Sequence, residues 1–355
     1  MTGVASDLDD FHAVIPAGGA GTRLWPLSRA GRPKFLLDLD RSGRTLIQHT
    51  WDRLTALVPP ERIHVVTGAT HEAAVRDQLP DLVNVLAEPT PRNSMPAIGW
   101  AAATIAADDP KAVIGSFAAD HVISGDSAFA DAITQAVATA RTGPVTTIGV
   151  TPTAPSTAFG YIKAGRPLDV EGAPSAVAID SFVEKPDAAT AAGYLAEGGY
   201  TWNAGMFVVR AGVLLGHLDR LQPTLSAGLR AIAADPAALA ATWPTLTNIA
   251  IDHAVAEPVS LEGGMAVVPA TFGWDDVGDF AALEDLRGSD PNTVFIDADG
   301  LALSTDDTLV AVLGLRDVVV VRTPDALLVT TRDEAQRVGE VPRTLRDQLN
   351  RPDLT

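Results

Sequence analysis

The stretch VIPAGGAGTRLWPLSRAGRPKFLLDL, residues 14–39, begins as an apolar strand and passes into a glycine-rich loop. The glycines allow backbone N–H groups to approach an anion closely. Arg23 stands two positions after the last glycine of the loop, and Lys34 follows Pro33. A planar guanidinium and a compact ammonium beside such a loop indicate a polyphosphate site. The stretch lacks the Gly-Lys-Ser/Thr of a Walker A loop and a regular G-x-G-x-x-G, so it predicts a different phosphate chemistry.

Apolar β-rich runs alternate with helical patterns through the first half of the chain. The predicted strands lie at 12–17, 63–68, 82–88, 111–117 and 144–150. The predicted helices lie at 45–57, 71–79, 94–107 and 127–140. This alternation predicts an α/β fold of Rossmann-like type, with a mostly parallel, mixed sheet flanked by helices. Ligands are expected in the loops that follow the carboxyl ends of the strands.

The second half of the chain is more mixed. Strands are predicted at 176–185, 200–210 and 265–272, and helices at 211–221 and 224–240. After about residue 290, short β-branched runs alternate with Asp, Gly and Pro turns, which indicates a small all-β appendage, and VGEVPRTLRDQLN predicts a closing helix. The sequence therefore predicts a catalytic domain over 1–288 and a small β-rich domain over 289–355.

Composition excludes several classes of function. The 355 residues include no cysteine, so disulfides, thiolate nucleophiles and zinc–thiolate sites are excluded. A formal net charge of −18 argues against non-specific nucleic-acid binding. No apolar run has the length of a membrane span, and the acidic first residues lack the features of a signal peptide. We expect a cytoplasmic protein with neither nucleic acid nor membrane as a partner.

Two aspartates follow predicted strands, where a sheet presents loops to a ligand. Asp120 lies in SFAADHVI and Asp276 lies in GWDDVG. Two carboxylates, phosphate oxygens and water are ligands that Mg²⁺ prefers, so the pair is a candidate metal site. Each aspartate, taken singly, is also a common turn or capping residue. His121 is expected to pack or orient its neighbours, because Mg²⁺ prefers oxygen.

Three further clusters are candidates for contacts with a second, hydroxyl-bearing substrate. FVEKP contains Glu184 and Lys185, which suit hydroxyl groups and a second phosphate, although a surface ion pair is the alternative. WNAGMF places Asn203 within an apolar strand, where a bulge or a sugar-binding edge would explain it. In AFGYIKAG, Gly160 would allow the backbone to approach a ring closely.

The loop EPTPRNSMPAI, from Glu88 to Ile98, is stiffened by prolines ahead of a predicted helix. Arg92 and Asn93 are polar groups that suit a base or a phosphate. Ser94 is either part of that set or only the N-cap of the helix.

Taken together and in order, these motifs resemble those of the sugar-1-phosphate nucleotidylyltransferases. GGAGTRLWPLSR…PK, EPTPRNSMPAI, ADHVI, GYI, FVEKP, WNAGMF, IDHAVAE and WDDVG cover nearly the whole chain, and their details look most like the mannose-1-phosphate guanylyltransferases, also called GDP-mannose pyrophosphorylases. Ser94 and Met95 depart from the usual Thr-x, and WDDVGDF departs from the common W-S-D-V-G-S-W. The matching metal position is Asp276, with Asp275 as an alternative.

The resemblance implies the nucleotide-diphospho-sugar transferase fold and a Mg²⁺-dependent enzyme that joins GTP and α-D-mannose 1-phosphate into GDP-mannose and pyrophosphate. It implies catalytic roles for Arg23, Lys34, Asp120, Lys185 and Asp276. It implies sugar contacts from Gly160, Glu184, Lys185 and Asn203. It implies nucleotide contacts from Ala17, Gly18, Gly19, Gly21, Thr22, Glu88, Arg92 and Asn93. A homodimer is expected, in which the β-rich tail either mediates dimerisation or covers the active site of the partner subunit. The sequence lacks the isomerase domain of longer bifunctional relatives, so no phosphomannose isomerase activity is expected.

Two alternatives remain open at this point. One is a nucleotidylyltransferase for another pair of substrates, such as ATP, UTP or dTTP with glucose 1-phosphate. The other is a non-catalytic regulatory subunit that binds sugar nucleotides, against which the retained charged residues argue.

Overall fold

The computed structural model describes residues 5–306 and 308–355, which form two compact units. The first unit comprises the described residues up to Gly18 together with Thr50–Ala118 and Ile123–Trp274. The second unit comprises Gly19–His49, Ala119–Val122 and Asp275–Thr355. Within the described residues, none of the helices is both long and apolar enough to cross a membrane.

The first unit is built around a mixed sheet. Its strands are β1 (Phe11–Ala17), β2 (Ile63–Gly68), β3 (Asn84–Glu88), β4 (Val113–Ser116), β6 (Val145–Val150), β7 (Tyr161–Pro167), β8 (Val177–Val183), β9 (Tyr200–Arg210) and β10 (Met265–Ala270). Among the described residues these nine strands have the order β3-β2-β1-β4-β9-β6-β10-β8-β7. The short strands β5 (Val122–Ser124) and β11 (Gly273–Asp275) pair separately.

Strand direction divides the sheet. The neighbours β3-β2-β1-β4 are parallel, as are β6 and β10, whereas β9 runs antiparallel to β4 and β6. The outer strands β7 and β8 are also antiparallel. Buried apolar residues fill β1, β2 and β4 on both faces, as expected for strands covered on two sides. The prediction of a mixed α/β sheet is confirmed.

The α-helices follow the predicted order. They are α1 (Leu46–Thr55), α2 (Glu72–Gln78), α3 (Ser94–Asp108), α4 (Asp126–Arg141), α5 (Ala188–Glu197), α6 (Ala211–Leu221), α7 (Pro223–Ala234), α8 (Leu239–Thr242), α9 (Glu257–Leu261), α10 (Phe280–Arg287) and α11 (Glu340–Asp347). Ser94 is the first residue of α3 and not its N-cap, which is Asn93. The single helix predicted at 224–240 is wrong, because the extended residue Asp235 precedes Pro236 and ends α7.

Helix α3 forms the centre of the first unit's core. Ten of its fifteen residues are buried, and its Trp100 ring lies 5.3 Å from that of Trp243. Apolar side chains of α6 and α7 pack in the same cluster as α3. The helix is apolar on nearly all sides because protein surrounds it. This packing fixes the loop before α3, which holds the EPTPRN motif.

The second unit joins the segment after the glycine loop to the C-terminal strands. Its strands are β12 (Thr293–Ile296), β13 (Gly300–Ser304), β14 (Val310–Leu313), β15 (Val318–Thr323) and β16 (Ala326–Thr331). Alternate strands pair in parallel, β12 with β14 and β13 with β15, while β16 runs antiparallel to β15. Gly300 has φ +128° and lies directly against the Val318 carbonyl oxygen, which leaves no room for a Cβ there. The β-rich tail is confirmed.

A separate apolar cluster holds the second unit together. Leu24 and Leu37, from the stretch after the glycine loop, belong to the same buried cluster as Leu283 of α10 and Leu301 of β13. A cut at 288 would therefore divide this cluster, and the boundary at 288 stays a prediction. A 3-10 helix, Arg332–Gly339, leads into α11, so the predicted closing helix is also present.

Candidate active site

The glycine loop after β1 is shaped by one close approach. Gly21 has φ +63°, and a Cβ there would collide with the Cβ of Lys34. Glycine therefore allows the loop to pass directly over the lysine. Ser28 Oγ donates a hydrogen bond of 2.6 Å to the Gly21 carbonyl, which fixes this turn. Thr22 and Arg23 follow on a short 3-10 helix, Thr22–Leu24.

Lys34 links the two predicted metal-binding aspartates. Its side chain is buried, and its Nζ donates a hydrogen bond of 2.9 Å to Asp120 Oδ2 and another to the Asp276 carbonyl oxygen. Burial opposes ionisation of Asp120, but the Lys34 ammonium and His121 hold the pKa of that carboxyl below its usual value. Asp120 is therefore a carboxylate at neutral pH. Asp120 and Asp276, which are far apart in the sequence, therefore both accept hydrogen bonds from the Lys34 ammonium group.

Asp275 and Asp276 occupy different environments. Burial raises the pKa of both carboxyls, and for Asp276 the charges of Lys34 and His121 oppose the rise. Asp275 Oδ1 accepts a hydrogen bond of 2.6 Å from the Val277 N–H, which occupies it in a turn. Both carboxylate oxygens of Asp276 lie 3.3 Å from the position that a Cβ would take at Gly278. A side chain at position 278 would therefore press on the Asp276 carboxylate, and glycine avoids that contact.

The donor set suits a hard cation that substrate helps to hold. Within 5–306 and 308–355, no group of three or more His, Cys, Asp or Glu side chains is placed to hold a metal ion. Mg²⁺ commonly takes one or two carboxylates and completes its shell with water and phosphate oxygens. Asp120 and Asp276 supply two such carboxylates; burial raises the pKa of Asp276, and the charges of Lys34, His121 and Arg23 oppose that rise.

Arg23 is held by a residue that sequence reasoning missed. Its Nη1 donates a hydrogen bond of 2.8 Å to Gln336 Oε1, and Gln336 Nε2 donates to Asp279 Oδ2. A Cβ on Gly339 would lie 3.3 Å from Arg23 Cγ and 3.4 Å from Thr22 Oγ1, so this stretch packs on the arginine. The local sequence DEAQRVG carries no motif that marks Gln336.

The predicted sugar-binding residues meet in the first unit. A Cβ on Gly160 would lie 2.6 Å from Glu184 Oε2 and 3.4 Å from the Cβ of Asn203. Glycine at 160 therefore leaves room for the Glu184 carboxylate against the backbone. Glu184 Oε1 accepts a hydrogen bond from Lys185 Nζ. The Lys185 side chain is 61% exposed, and its backbone is left-handed with φ +45°, so its ammonium can reach a ligand from solvent.

Asn203 is buried and fully engaged by protein. Its Oδ1 accepts from Thr147 Oγ1 at 2.7 Å, and its Nδ2 donates to Asp252 Oδ1 at 3.2 Å. The pairing of β6 with β9 shifts register beside it, between Thr147 and Gly149, so the bulge predicted as one explanation is present. Burial, reinforced by the Glu184 charge, raises the pKa of Asp252 to about 6. Asp252 lies within the IDHAVAE motif, and no sequence pattern assigns a role to this residue.

The predicted nucleoside contacts fall into two sets. At the end of β3, Glu88 is 3% exposed, and its Oε1 has no hydrogen-bond partner within the described part of the chain. Burial raises the pKa of Glu88 to about 7. Its Oε2 lies 3.7 Å from where a Cβ on Gly18 would stand, so the backbone of the glycine loop passes close to the carboxyl group. Ala17 carries a carbonyl that accepts from Thr67 Oγ1 at 2.8 Å.

Arg92 and Asn93 form hydrogen bonds with residues 244 and 248, which precede the π-helix Asp252–Ala256. Arg92 Nη2 donates to the Pro244 carbonyl at 2.6 Å, and its buried Nε has no partner among the residues described. The Asn93 N–H donates to Asn248 Oδ1 at 2.8 Å. These bonds hold the loop, and a nucleotide contact by either residue stays a prediction.

The predicted residues thus form two groups. The second unit holds the phosphate-type set, namely Gly19, Gly21, Thr22, Arg23, Lys34, Asp120 and Asp276. The first unit holds the sugar-type set and the proposed nucleoside contacts, namely Ala17, Gly18, Glu88, Arg92, Asn93, Gly160, Glu184, Lys185 and Asn203.

Known proteins resemble this chain over almost its full length. The model of the "Nucleotidyl transferase" family matches residues 12–292, and the model of the "MannoseP isomerase/GMP-like beta-helix domain" matches residues 291–345. The xanthan biosynthesis protein XanB of Xanthomonas campestris is 39% identical over 354 residues, which cover 94% of this chain and 73% of the relative. A putative mannose-1-phosphate guanylyltransferase of Vibrio cholerae is 35% identical, over 95% of this chain and 74% of the relative.

A solved structure agrees with these relatives. The crystal structure of a mannose-1-phosphate geranyltransferase, as it is named, from Thermus thermophilus has a TM-score of 0.84 and 32% identity. The match covers 95% of this chain and 99% of that one. The chain therefore belongs to the nucleotidyl transferase family, in the group of mannose-1-phosphate guanylyltransferases that carry a C-terminal β-helix domain.

Proposed function

We propose that the protein transfers GMP from GTP to α-D-mannose 1-phosphate, which yields GDP-mannose and pyrophosphate. The observation that carries this proposal is the arrangement of Lys34, which lies under the glycine loop and bonds both Asp120 and the Asp276 backbone. Such a site suits the joining of two phosphate-bearing substrates. The relative from Vibrio cholerae, a putative mannose-1-phosphate guanylyltransferase, supports the choice of substrates.

The reaction is an in-line displacement at the α-phosphorus of GTP. A phosphate oxygen of the sugar phosphate forms the new P–O bond, the bond to the β-phosphate oxygen breaks, and pyrophosphate leaves with its electron pair. No covalent enzyme intermediate is required. Because both reactants are polyanions, charge neutralisation and positioning supply most of the catalysis. Arg23 holds the departing β,γ-phosphates, and Lys34 stabilises the charge that develops at the α-phosphate.

Asp120 and Asp276 would hold Mg²⁺ together with phosphate oxygens. Bound there, the ion would neutralise phosphate charge and orient the reacting groups. Lys34 keeps Asp120 ionised, as its lowered pKa indicates, so this carboxylate is ready for a cation. Loss of either carboxylate would leave the nucleotide less well neutralised.

The sugar 1-phosphate binds in the first unit. The exposed ammonium of Lys185 holds its phosphate, while the Glu184 carboxylate accepts hydrogen bonds from ring hydroxyls. Gly160 leaves space for the ring beside that carboxylate. Asn203 positions the sugar, and its bonds to Thr147 and Asp252 keep its amide in one orientation.

The guanine base lies against Gly18 and Gly19, near the loop that holds Arg92 and Asn93. Glu88 is the residue best suited to choose the base. A carboxylate accepts two hydrogen bonds side by side, and guanine presents N1–H and N2–H₂ as neighbouring donors. The unpartnered Oε1 of Glu88 supports this role, since a buried oxygen without a partner is costly unless a ligand supplies one.

A homodimer would form through the C-terminal strands. Val294 and Ile296 of β12 pair with Ala311 and Leu313 of β14, and all four side chains are exposed on one face. An exposed apolar sheet face of this kind commonly marks an interface. Light scattering tests this: a monomer in the unmodified protein contradicts the proposal, and Leu313→Glu is expected to convert a dimer to monomers. A cytoplasmic location is proposed with it.

A pyrophosphate-release assay tests the activity. GTP, ATP, UTP and dTTP are each offered with mannose 1-phosphate and with glucose 1-phosphate, in the presence of Mg²⁺. We expect the highest kcat/KM for GTP with mannose 1-phosphate. A clear preference for another pair would favour the alternative nucleotidylyltransferase. Binding of GDP-mannose without any turnover would favour the non-catalytic regulatory subunit.

A further inference from the structure

The second unit contains a cavity of about 290 Å³ that none of the proposed catalytic residues lines. Its wall combines arginines, aspartates, hydroxyl groups and an apolar side. The lining includes Arg29, Arg32, Asp38, Arg287, Asp290 and Leu303. A second, more open cavity shares Arg287 and Asp290 and adds Arg41.

Two guanidiniums converge on one carboxylate at one end of the cavity, where Asp38 also acts on Arg287. Asp290 accepts from Arg287 Nη2 at 2.8 Å and also pairs with Arg41, so two guanidiniums share one carboxylate. Burial and the nearby Arg41 charge lower the pKa of Arg287 to about 10. An anion bound there would relieve the repulsion between the two guanidiniums.

Several buried polar atoms on the lining residues are left unsatisfied. Arg29 Nη2 pairs with Asp325 at 2.9 Å, and its guanidinium stacks over Trp25, yet its Nη1 has no partner among the described residues. Arg287 Nε and Asp38 Oδ1 likewise have none in that part of the chain. Buried polar groups without partners are costly, and a native structure normally satisfies them. Arg29, Arg287 and Asp38, which line the cavity, therefore keep hydrogen-bonding capacity that their protein partners do not use, namely two donors and one acceptor.

The size and remaining lining narrow the class of ligand. About 290 Å³ is at the small end of ligand-binding pockets, so the space suits a single small metabolite better than a sugar nucleotide. Ser304, Thr305 and Thr323 add hydroxyl groups, and Leu27 and Leu303 form an apolar side. Guanidinium forks match phosphate geometry, and sugar hydroxyls donate to carboxylates.

We propose that this cavity, which we name the arginine cavity, binds a small phosphorylated metabolite that carries hydroxyl groups, such as a sugar monophosphate. Arg29, Arg32 and Arg287 hold the phosphate, and Asp38 accepts from a hydroxyl group. The site is distinct from the place where the substrate sugar phosphate is held, because Glu184, Lys185 and Asn203 belong to the first unit.

The position of the arginine cavity would allow a bound ligand to influence the proposed catalytic residues through the chain segment that they share. Arg29 and Arg32 lie in the chain between Arg23 and Lys34, and Asp38 follows Lys34 by four residues. A ligand that joins these side chains to Arg287 of α10 would tie down the segment that carries both catalytic cations. Because it binds the folded state, it would also raise the melting temperature of the protein.

Isothermal titration of the full chain with glucose 6-phosphate, and separately with inorganic phosphate, tests the proposal. Arg32→Ser and Thr305→Trp alter two exposed positions of the lining, one by removing charge and one by filling space. Arg316→Ser, at an exposed arginine between β14 and β15 and outside the cavity, is the matched control. We expect each lining variant to weaken glucose 6-phosphate binding by at least about tenfold and the control to leave it unchanged.

The affinities of the four proteins for the probe distinguish binding in the arginine cavity from binding at the active site. A probe that binds only among the catalytic residues would bind all four proteins equally, and that result would overturn the proposal. Absence of any binding to the unmodified protein would overturn it as well. Thermal melting of each variant without probe verifies its fold, and if Arg32→Ser does not fold, Thr305→Trp carries the test. Tighter binding of glucose 6-phosphate than of inorganic phosphate supports the role of the hydroxyl groups.

Discussion

Arg23 and Gln336 are joined by a hydrogen bond of 2.8 Å from Arg23 Nη1 to Gln336 Oε1. Gln336 also donates to Asp279, the N-cap of α10, whose other oxygen accepts from the Ala281 and Ala282 N–H groups. The guanidinium proposed to hold the departing pyrophosphate is therefore fixed to the C-terminal region through one amide. The β-rich tail, which the sequence presents as an appendage, therefore orients a side chain that is proposed to be catalytic.

Replacement of Gln336 by leucine is expected to lower kcat/KM by about three- to tenfold, because Arg23 loses a neutral hydrogen-bond partner that orients it. Steady-state pyrophosphate release measures the effect. The KM for GTP should rise more than the KM for mannose 1-phosphate. Gln348→Leu, at an exposed position beyond α11, is the control and should match the unmodified protein. Equal kinetics for both variants would remove Gln336 from the positioning of Arg23.

Lys185→Ala is expected to raise KM for mannose 1-phosphate by about ten- to a hundredfold, since a charge-assisted contact to phosphate is lost. KM for GTP should change much less. Lys163→Ala is a matched control, because Lys163 is also an exposed lysine paired with a glutamate, Glu197, in the same unit. The role assigned to Lys185 fails if KM rises equally for the two substrates, or if Lys163→Ala has the same effect.

Local patterns were sufficient to predict most of the fold and to select the loops that hold the candidate site residues. The β1 run and the glycine loop follow from apolar composition and from backbone freedom, and both are confirmed. Strand β7 was missed, because Tyr161–Pro167 mixes charged residues and glycine with few apolar ones. The break at Asp235-Pro236 was readable from the sequence, because a residue before proline avoids helical geometry.

Long-range contacts account for what the sequence could not provide. Lys34 is 86 residues from Asp120 and 242 from Asp276, and Arg23 is 313 residues from Gln336. Neither periodicity nor turn chemistry encodes such meetings, since they depend on how separate elements pack. The family resemblance implies roles for Lys34 and Asp276, and these stay predictions, whereas no motif marks Gln336.

Asp276→Asn is expected to reduce Mg²⁺-dependent turnover by about a thousandfold while the fold persists, because one of two proposed metal carboxylates is lost. Its melting temperature should stay near that of the unmodified protein or rise, since burial already raises the pKa of this carboxyl and disfavours its charge. Pyrophosphate release over a range of Mg²⁺ concentrations, with thermal melting alongside, measures both effects.

Asp275→Asn is the matched comparison for that experiment. The Asp275 carboxylate already accepts from the Val277 N–H, and an asparagine oxygen can accept the same bond. Activity should therefore remain within about threefold of the unmodified protein. The reverse result, with Asp275→Asn inactive and Asp276→Asn active, would transfer the metal role to Asp275.

Glu88 links base choice to pH. Burial raises its pKa to about 7, so the carboxyl is mostly protonated at pH 6 and mostly ionised at pH 8. A protonated carboxyl cannot accept from both N1–H and N2–H₂ of guanine, so GTP affinity, measured without metal, should rise by about tenfold from pH 6 to pH 8. Folding responds in the opposite direction. The folded chain holds this proton more tightly than the unfolded chain, so the contribution to stability is full below about pH 4.5 and is lost as pH rises through about 7.

Glu88→Gln should remove the part of the pH dependence that belongs to Glu88, and reduce the preference for GTP over ATP by about ten- to a hundredfold, because the amide offers one acceptor where the carboxylate offers two. The triphosphate also titrates near neutral pH, but it does so equally for both proteins, so the difference between their affinity profiles isolates Glu88. Titration calorimetry with GTP and ATP at pH 6, 7 and 8 gives these profiles. Parallel profiles for the two proteins, with an unchanged preference for GTP, would show that guanine is recognised by groups other than Glu88. The backbone groups of Gly18 and Gly19 would then be the next candidates.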